Sequence, residues 1–567
     1  MLKKYNKTFL RNDLIAGLTL FVMLVPQSMA YAMLAGVPPV MGLYASTIPL
    51  MIYAVFASSK HLSVGPVAIT SLLVFTGVSL YAEPGSSEYI SLVLTLTLMV
   101  GVIQFLLGLL NGGFIVKFIP HSVLSGYTSA AAIVIAVSQF KHLLGIDVGN
   151  YLQVHLLFFD ILRKINEANV LTVFVGLLAF STLVLLNKRS PRIPGALLLV
   201  VVAIVSVMLF RLDQQGLQII GNVPQGIPQM TLPSISFQTI QLLLPMAITI
   251  SLIAFMESLA ISKSIARIEN YKIIPNKELT ALGVSNIVGS FFQAFPINGS
   301  FSRTAINHQS GGRTQVTSFV TAICVIITLL FFTSLFYYLP TAILAAIIIA
   351  AVYKLVNIRE LPTLLKIKPV EGWVWLLTFC VTLFVGIQWG IIIGAILTLI
   401  LLIEKSAKPD IAQLGYVPEE KTFRDVRRYT KAITSEKVLL VRIDASLHFA
   451  NISYIEEHLK KLMKQNPQAK WMVFDMSGVN DIDTVSIDKL EEMLVHWKIE
   501  VLFANMKGSI RETVNRVDWN KKYKEQQLHL NLEKLLEIKG LFRYFQRRDT
   551  KLSERSRESS WVNDYSI

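Results

Sequence analysis

Residues 292–315 read FQAFPINGSFSRTAINHQSGGRTQ, and this stretch decides the fold. It sits between two apolar regions of membrane-spanning grade, yet it carries an arginine, Arg303. A charge at that depth is expensive and marks a ligand or ion pathway. Pro296, Gly299 and Ser300 precede it and predict a helix that starts late, inside the bilayer. Such a helix aims its unpaired N–H groups and the positive end of its dipole at whatever lies there. An arginine on the first turn adds the same sign, so the stretch reads as a site for an anion.

Working outward, residues 61–72, HLSVGPVAITSL, repeat the pattern. Each stretch has a short extended segment, a glycine and then a helix start. Gly65–Pro66 gives the earlier break, with Pro66 suited to a first helical turn. Each break falls in the third span of a seven-span half. Two breaks at corresponding positions point to an inverted-repeat transporter with its site between two half-helix N-termini.

The rest of the chain agrees with a polytopic membrane protein. Of its 567 residues 53% are hydrophobic and only 16% charged. Fourteen spanning runs fit between residues 13 and 404, a seven-plus-seven repeat of about 13–211 and 241–404. The net charge of +15 is no nucleic-acid signal, because the basic residues gather in a few loops as the positive-inside rule expects. Lys188, Arg189 and Arg192, then Lys263, Arg267, Lys272 and Lys277, then Arg359, Lys366 and Lys368 fall on one side, with the basic N-terminus and Lys405. Loops 33–39, 81–88 and 212–240 on the other side contain no lysine or arginine. The long loop near 141–168 is the exception, with Lys141, Arg163 and Lys164. Both termini are therefore expected in the cytoplasm. Cys324 and Cys380 lie in apolar runs and read as core residues. No nucleophile–base set, phosphate loop, cofactor motif or metal-ligand spacing is visible, which argues against an enzyme.

Glu257 is the only acid of the eighth span, within LLLPMAITISLIAFMESLAIS. Desolvation there favours the neutral carboxyl, which suits a proton carrier. Pairing with Arg303 or Lys263 is the competing role. Ser300 and Ser302 place hydroxyls beside Arg303. Across the site Val67 and Ala68 offer backbone N–H groups. Gln27 and Tyr31 are one helical turn apart in LVPQSMAYAMLAG and share a face, and Pro26 is expected to break that first span.

Near residue 405 the composition changes. Residues 405–436 are charged and read as a linker. Residues 437–445, 470–476 and 499–504 read as strands, and 453–466 and 485–497 as amphipathic helices. Together they predict a small α/β domain over 437–545. Residues 546–567 read as a disordered tail.

These motifs resemble the SulP family of anion transporters. VPQSMAYAMLAGVPPVMGLYASTIPLMIYAVFASSKHLSVGPVA resembles its N-terminal signature. AFMESLAISKSIA and NGSFSRTAINHQSGGRTQV resemble its eighth- and tenth-span motifs. The soluble part resembles the STAS domain that follows the membrane unit in this family, so the resemblance covers about residues 10–545. It implies core and gate domains that move as an elevator, anion binding by Ser302 and Arg303, proton coupling by Glu257, and a homodimer in the plasma or inner membrane. The motifs are most similar to proton-coupled sulfate permeases. Arg303 stands where the family's sodium–bicarbonate members lack an arginine, which disfavours sodium coupling. The expectation is sulfate uptake with protons. C4-dicarboxylate or bicarbonate transport, anion exchange, or a non-transporting anion sensor are the alternatives. In STAS domains that are phospho-switched, a D-S-S-G loop carries the serine. Here the matching stretch is Asp483-Thr484-Val485-Ser486, and Val485 occupies that position, so a dimerising and regulatory role is expected instead.

Overall fold

The protein is described by a computed structural model covering residues 7–114, 120–149, 151, 153–189, 195–526 and 530–545. Lys3, Lys4, Arg192 and the tail 546–567 lie outside the described residues. Two compact units divide at Thr398/Leu399.

In the first unit the helices run α1 (Lys7–Leu34), α2 (Pro39–Ala45), α3 (Ile48–Phe56), α4 (Ala68–Val78), α5 (Ser87–Leu109), α6 (His121–Leu144), α7 (Val154–Arg163), α8 (Val170–Arg189), α9 (Gly195–Phe210), α10 (Phe237–Ile268), α11 (Pro275–Phe291), α12 (Phe301–Gln309), α13 (Val316–Phe331), α14 (Thr341–Val352), α15 (Glu360–Ile367) and α16 (Pro369–Phe384), followed by α17 (Ile387–Ala407), within which the division falls. Among the described residues seven helical stretches are long and apolar enough to cross a membrane, and five shorter apolar helices accompany them. Counting α2–α3 and α14–α15 as one span each, α4 and α12 as half-helices led in by a strand, and leaving out the short amphipathic α7, the order gives fourteen crossings.

The helices pack in two groups. In the first, α5 lies on α10 and α11, α11 on α3, and α1 on α2, α12 and α13. In the second, α6 lies on α14 and α16, and α8 on α14 and α9. The groups meet where α4 faces α6 and where α1 faces α9 and α14. Small residues allow the closest approach. A methyl added at Gly101 of α5 would lie 2.5 Å from the Ile287 nitrogen, and one at Gly283 of α11 would lie 2.4 Å from the Phe105 nitrogen. Packing of this kind holds helices together where lipid removes the hydrophobic drive between them.

The two sequence breaks become a crossing pair of strands. β1 (Val64–Gly65) pairs antiparallel with β2 (Asn298–Gly299), Val64 opposite Gly299 and Gly65 opposite Asn298. Non-helical backbone is tolerated at membrane depth only when its polar groups are met by protein, and the pairing meets them. Two local expectations change. Helix α1 runs unbroken through Pro26, because loss of one N–H donor does not end a well-packed membrane helix. Pro66 lies before the N-cap Val67 rather than in the first turn of α4.

The second unit holds a five-stranded sheet in the order β4-β3-β5-β6-β7, with β3 (Ile411–Val417), β4 (Thr422–Asp425), β5 (Val438–Ile443), β6 (Trp471–Asp475) and β7 (Glu500–Ala504). β5, β6 and β7 are parallel, while β3 is antiparallel to both β4 and β5. The stretch 405–436, expected as a linker, therefore supplies two strands. The charges around IAQLGYV hid an apolar strand whose partner is β5. Alternation along β5 serves both faces. Leu439, Val441 and Ile443 pack under helices α18 (Ile452–Gln465), α19 (Thr484–His496) and α20 (Gly508–Asn515). Val438 and Leu440 pack under Leu532, Leu535, Leu536 and Phe545 from the C-terminal segment. Asp483 caps α19 by accepting from Ser486 N at 2.8 Å, and Val485 is exposed.

Candidate functional site

Arg303 is brought to the strand crossing by the start of α12. Ser300 is its N-cap, its hydroxyl accepting from Arg303 N at 3.5 Å. The turn is pinned across the crossing, since Ser300 N donates to Ser63 O at 2.9 Å and Ser63 N to Thr304 Oγ1 at 3.0 Å. The guanidinium is wholly buried. Its Nη1 donates to Pro66 O at 2.9 Å, whereas Nε and Nη2 have no partner among the described residues. It lies against Gly65, where an added methyl would meet Nη2 at 3.3 Å. Arg303 is thus fixed by one donor and holds two nitrogens in reserve.

Other polar atoms share that condition. Gln27 Oε1, Thr70 Oγ1, Ser71 Oγ and Tyr127 OH are buried without partners among the described residues. They come from α1, the first turn of α4, and α6, helices that pack together around the crossing. Buried polar groups are nearly always hydrogen-bonded, so such a concentration marks a place built for something polar. Val67 and Ala68 form the N-cap and first residue of α4, and no side chain caps that end. Tyr31 is buried within electrostatic reach of Arg303. Ser302 is exposed and shares a 3.3 Å contact with the Ser300 hydroxyl.

Glu257, on α10, is only half-buried. Its partner is Asn298, whose Nδ2 donates to Oε2 at 2.6 Å, and not Arg303 or Lys263. Asn298 Oδ1 accepts from Ser258 Oγ at 2.5 Å and from Gly299 N at 2.7 Å. The carboxyl is therefore tied to β2 by a side chain that is itself part of the crossing. Two other acids of this unit are wholly buried and fully engaged. Glu278 accepts from Tyr53 OH, Ser58 N, Ser58 Oγ and Ser59 N. Asp13 accepts from Arg313 N, Thr314 N and Thr314 Oγ1. Among the described residues Glu257 differs in having one hydrogen-bond partner, Asn298, and in being half-buried.

The candidate anion and proton residues named from the sequence sit on α1, α4, α10 and α12, which meet at this crossing. Sequence reasoning passed over Asn298, Thr70, Ser71, Ser258 and Tyr127. Asn298 was inside a motif already flagged, and Thr70-Ser71 is a polar pair in an apolar run. Both signals were weak, because hydroxyls in membrane helices usually bond their own backbone. Among the described residues no cluster of three or more His, Cys, Asp or Glu could hold a metal ion.

Comparison with known proteins places this geometry. The sulfate permease family profile matches residues 10–378 and the STAS domain profile residues 429–535. Sulfate transporter 4.1, chloroplastic, of Arabidopsis thaliana is 34% identical over 90% of this chain and 77% of its own length. Probable sulfate transporter 4.2 of the same plant is 36% identical over 90% and 78%. Among solved structures, murine Slc26a9 in the inward-facing state superposes with a TM-score of 0.88 over 95% of this chain and 92% of that one, at 24% identity. The transmembrane domain of the cyanobacterial bicarbonate transporter BicA gives 0.59 over 70% and 98%, at 21% identity. These two show the fold alone. The chain belongs to the sulfate permease family and carries the STAS domain at its C-terminal side.

Proposed function

From this family membership we propose that the protein takes up sulfate together with protons, by alternating access of the crossing-strand site between the two faces of a membrane. The observation that carries the reading is the buried Arg303 guanidinium with two unpartnered nitrogens, set at two half-helix N-termini. Nε and Nη2 match two oxygens of a tetrahedral oxyanion. The first-turn N–H groups at Val67 and Ala68, the hydroxyls of Ser300 and Ser302, and Gln27 and Tyr31 complete the shell.

Coupling follows from charge. A dianion entering against about 100 mV, negative inside, costs about 4.6 kcal/mol, so uptake needs accompanying cations. Glu257 shares the strand crossing with Arg303 through Asn298. Its negative charge disfavours a dianion nearby, and its protonation removes that repulsion. Anion binding and proton uptake then promote each other, as linkage requires. The first helix group bears Arg303 and Glu257, and the second faces it through α6, α9 and α14, a division suited to an elevator-like displacement of one group against the other. We extend the reading to a homodimer in the plasma or inner membrane with both termini cytoplasmic, the side on which the basic loops gather, and with the STAS unit as its regulatory module.

The test is sulfate uptake into proteoliposomes at two pH values, with and without sodium. Uptake is expected to be driven by an inward proton gradient and indifferent to sodium. Glu257→Gln is expected to abolish the proton drive by at least tenfold while leaving sulfate binding measurable. Unchanged acid-driven uptake in that variant would refute the coupling role. Competition by fumarate, bicarbonate or chloride stronger than by sulfate would move the substrate to those anions. Binding without flux of any anion would make the protein a sensor.

A further inference from the structure

The basic loop that departs from the charge rule has a structural counterpart that the site described above does not use. The ends of α1, α4 and α6 enclose a cleft of about 50 Å³ lined by Met33, Thr76, Ser138, Gln139, Lys141 and His142, among others. That volume holds about four waters, room for a small oxyanion. Its walls are mixed, with Leu34, Leu72, Phe75 and Val134 beside a polar strip from Thr76, Ser138, Gln139, Lys141 and His142. Lys141 is half-buried there and makes no ion pair among the described residues. Other charges of this region are engaged elsewhere. Lys164 Nζ donates to Asp147 O at 2.8 Å and lies 3.9 Å from the Asp160 carboxylate, and Asp160 accepts from Gly149 N. Asp147 is the acid within electrostatic reach of Lys141, and it is exposed.

The cleft is continuous with the anion site along three helices. On α1, Gln27 and Tyr31 precede Met33 and Leu34. On α4, Ala68 and Thr70 precede Phe75 and Thr76. On α6, Tyr127 precedes Ser138 to His142. At 1.5 Å rise per residue the path along α4 is about 12 Å. It runs along the seam where α4 of one helix group faces α6 of the other. The loops 33–39, 81–88 and 212–240 of this face have no lysine or arginine, so a lysine at the cleft is locally prominent.

We propose that Lys141 and the cleft around it form an entry subsite for the oxyanion, on the face opposite the chain's N-terminus. It concentrates a dianion at the mouth of the seam before the anion reaches Arg303. The proposal rests on the anion-transport reading. A positive group in a low-dielectric cleft focuses the field on an approaching anion, and the effect falls with ionic strength.

The test uses sulfate uptake by the full chain in proteoliposomes, with KM and kcat measured at 0.01 and 1 M ionic strength. For one charge acting on a dianion at about 10 Å, Lys141→Gln is expected to raise KM about threefold at the low ionic strength and not at the high one. kcat should be unchanged and Lys141→Arg should keep the wild-type KM. Lys141→Cys, in a Cys324→Ser, Cys380→Ser background, separates charge from folding because the same protein is measured before and after labelling. A cationic trimethylammonium thiosulfonate reagent should restore KM, and an anionic sulfonate reagent should raise it about threefold further. An unchanged KM at low ionic strength, a shift that persists in 1 M salt, or indifference to the sign of the label would overturn the entry subsite while leaving transport intact. A wild-type protein that moves no anion would overturn both readings.

Discussion

Replacing Arg303 by glutamine tests the anion site most directly, because the structure states what is lost. Two guanidinium nitrogens, Nε and Nη2, have no partner among the described residues, while Nη1 is committed to Pro66 O. A hydrogen bond to a charged group contributes about 1.5–3 kcal/mol, or about 10- to 150-fold in affinity for each of the two. Arg303→Gln should therefore weaken sulfate binding by about 10² to 10⁴. Arg303→Lys keeps the charge but not the planar fork and should lose about 10- to 150-fold. Binding is read by isothermal titration calorimetry on detergent-solubilised protein, and transport by labelled sulfate uptake. Thermal unfolding supplies a reading with the opposite sign. An unpaired buried cation destabilises the empty protein, so Arg303→Gln should raise the melting temperature without sulfate. Sulfate at 100 times the wild-type Kd should stabilise the wild type by about 2.7 kcal/mol and the variant by no more than about 0.4 kcal/mol. A Gln variant whose KM stays within threefold of wild type, or whose melting temperature sulfate still raises as much, would refute the reasoning.

Two further variants test the scaffold. Gly65 has φ +152° and lies against the guanidinium, whereas Gly85 has φ +84° with nothing within 4 Å of an added methyl. Gly65→Ala and Gly85→Ala should both lose stability by about 1–3 kcal/mol from backbone strain, but only Gly65→Ala should lower uptake, by at least tenfold; equal losses in both would remove Arg303 from the explanation. In the STAS unit, burial pushes the Asp425 carboxyl up, but hydrogen bonds and charge from Arg427 more than offset this and hold it below the usual carboxylate range. A depressed folded value means its stabilisation is present above the ordinary aspartate pKa of about 3.9 and is lost as pH falls through the lower, folded value. Asp425→Asn should therefore lower the melting temperature of the full chain at pH 7 and flatten the acid limb of its pH profile, and a parallel acid limb in both proteins would contradict the pairing.

Much of this was legible before any coordinates. Hydropathy placed the spans because a bilayer demands long apolar helices. The two broken spans stood out because glycine, proline and a charge are costly in lipid unless something uses them. The strands of residues 405–436 were not legible, since their apolar pattern is short and their partner β5 lies beyond the hairpin in sequence. Pro26 misled for a related reason, its local penalty being outweighed by the packing of α1 against α2 and α13.

The sequence by itself determined a membrane-embedded inverted repeat, the α/β unit that follows it, and the presence of one arginine at a helix break and one carboxyl within the eighth span. These follow from periodicity, length and the cost of charge in lipid, all of which act locally. Only the tertiary structure decided what those two groups touch. It joined Glu257 to Asn298 rather than to Arg303, held Arg303 by Pro66 O with two nitrogens free, and drew Tyr127 from the facing helix group to within electrostatic reach of Glu257. Those relations join residues up to 237 positions apart, and no local pattern encodes them, because they depend on how two halves of one chain cross.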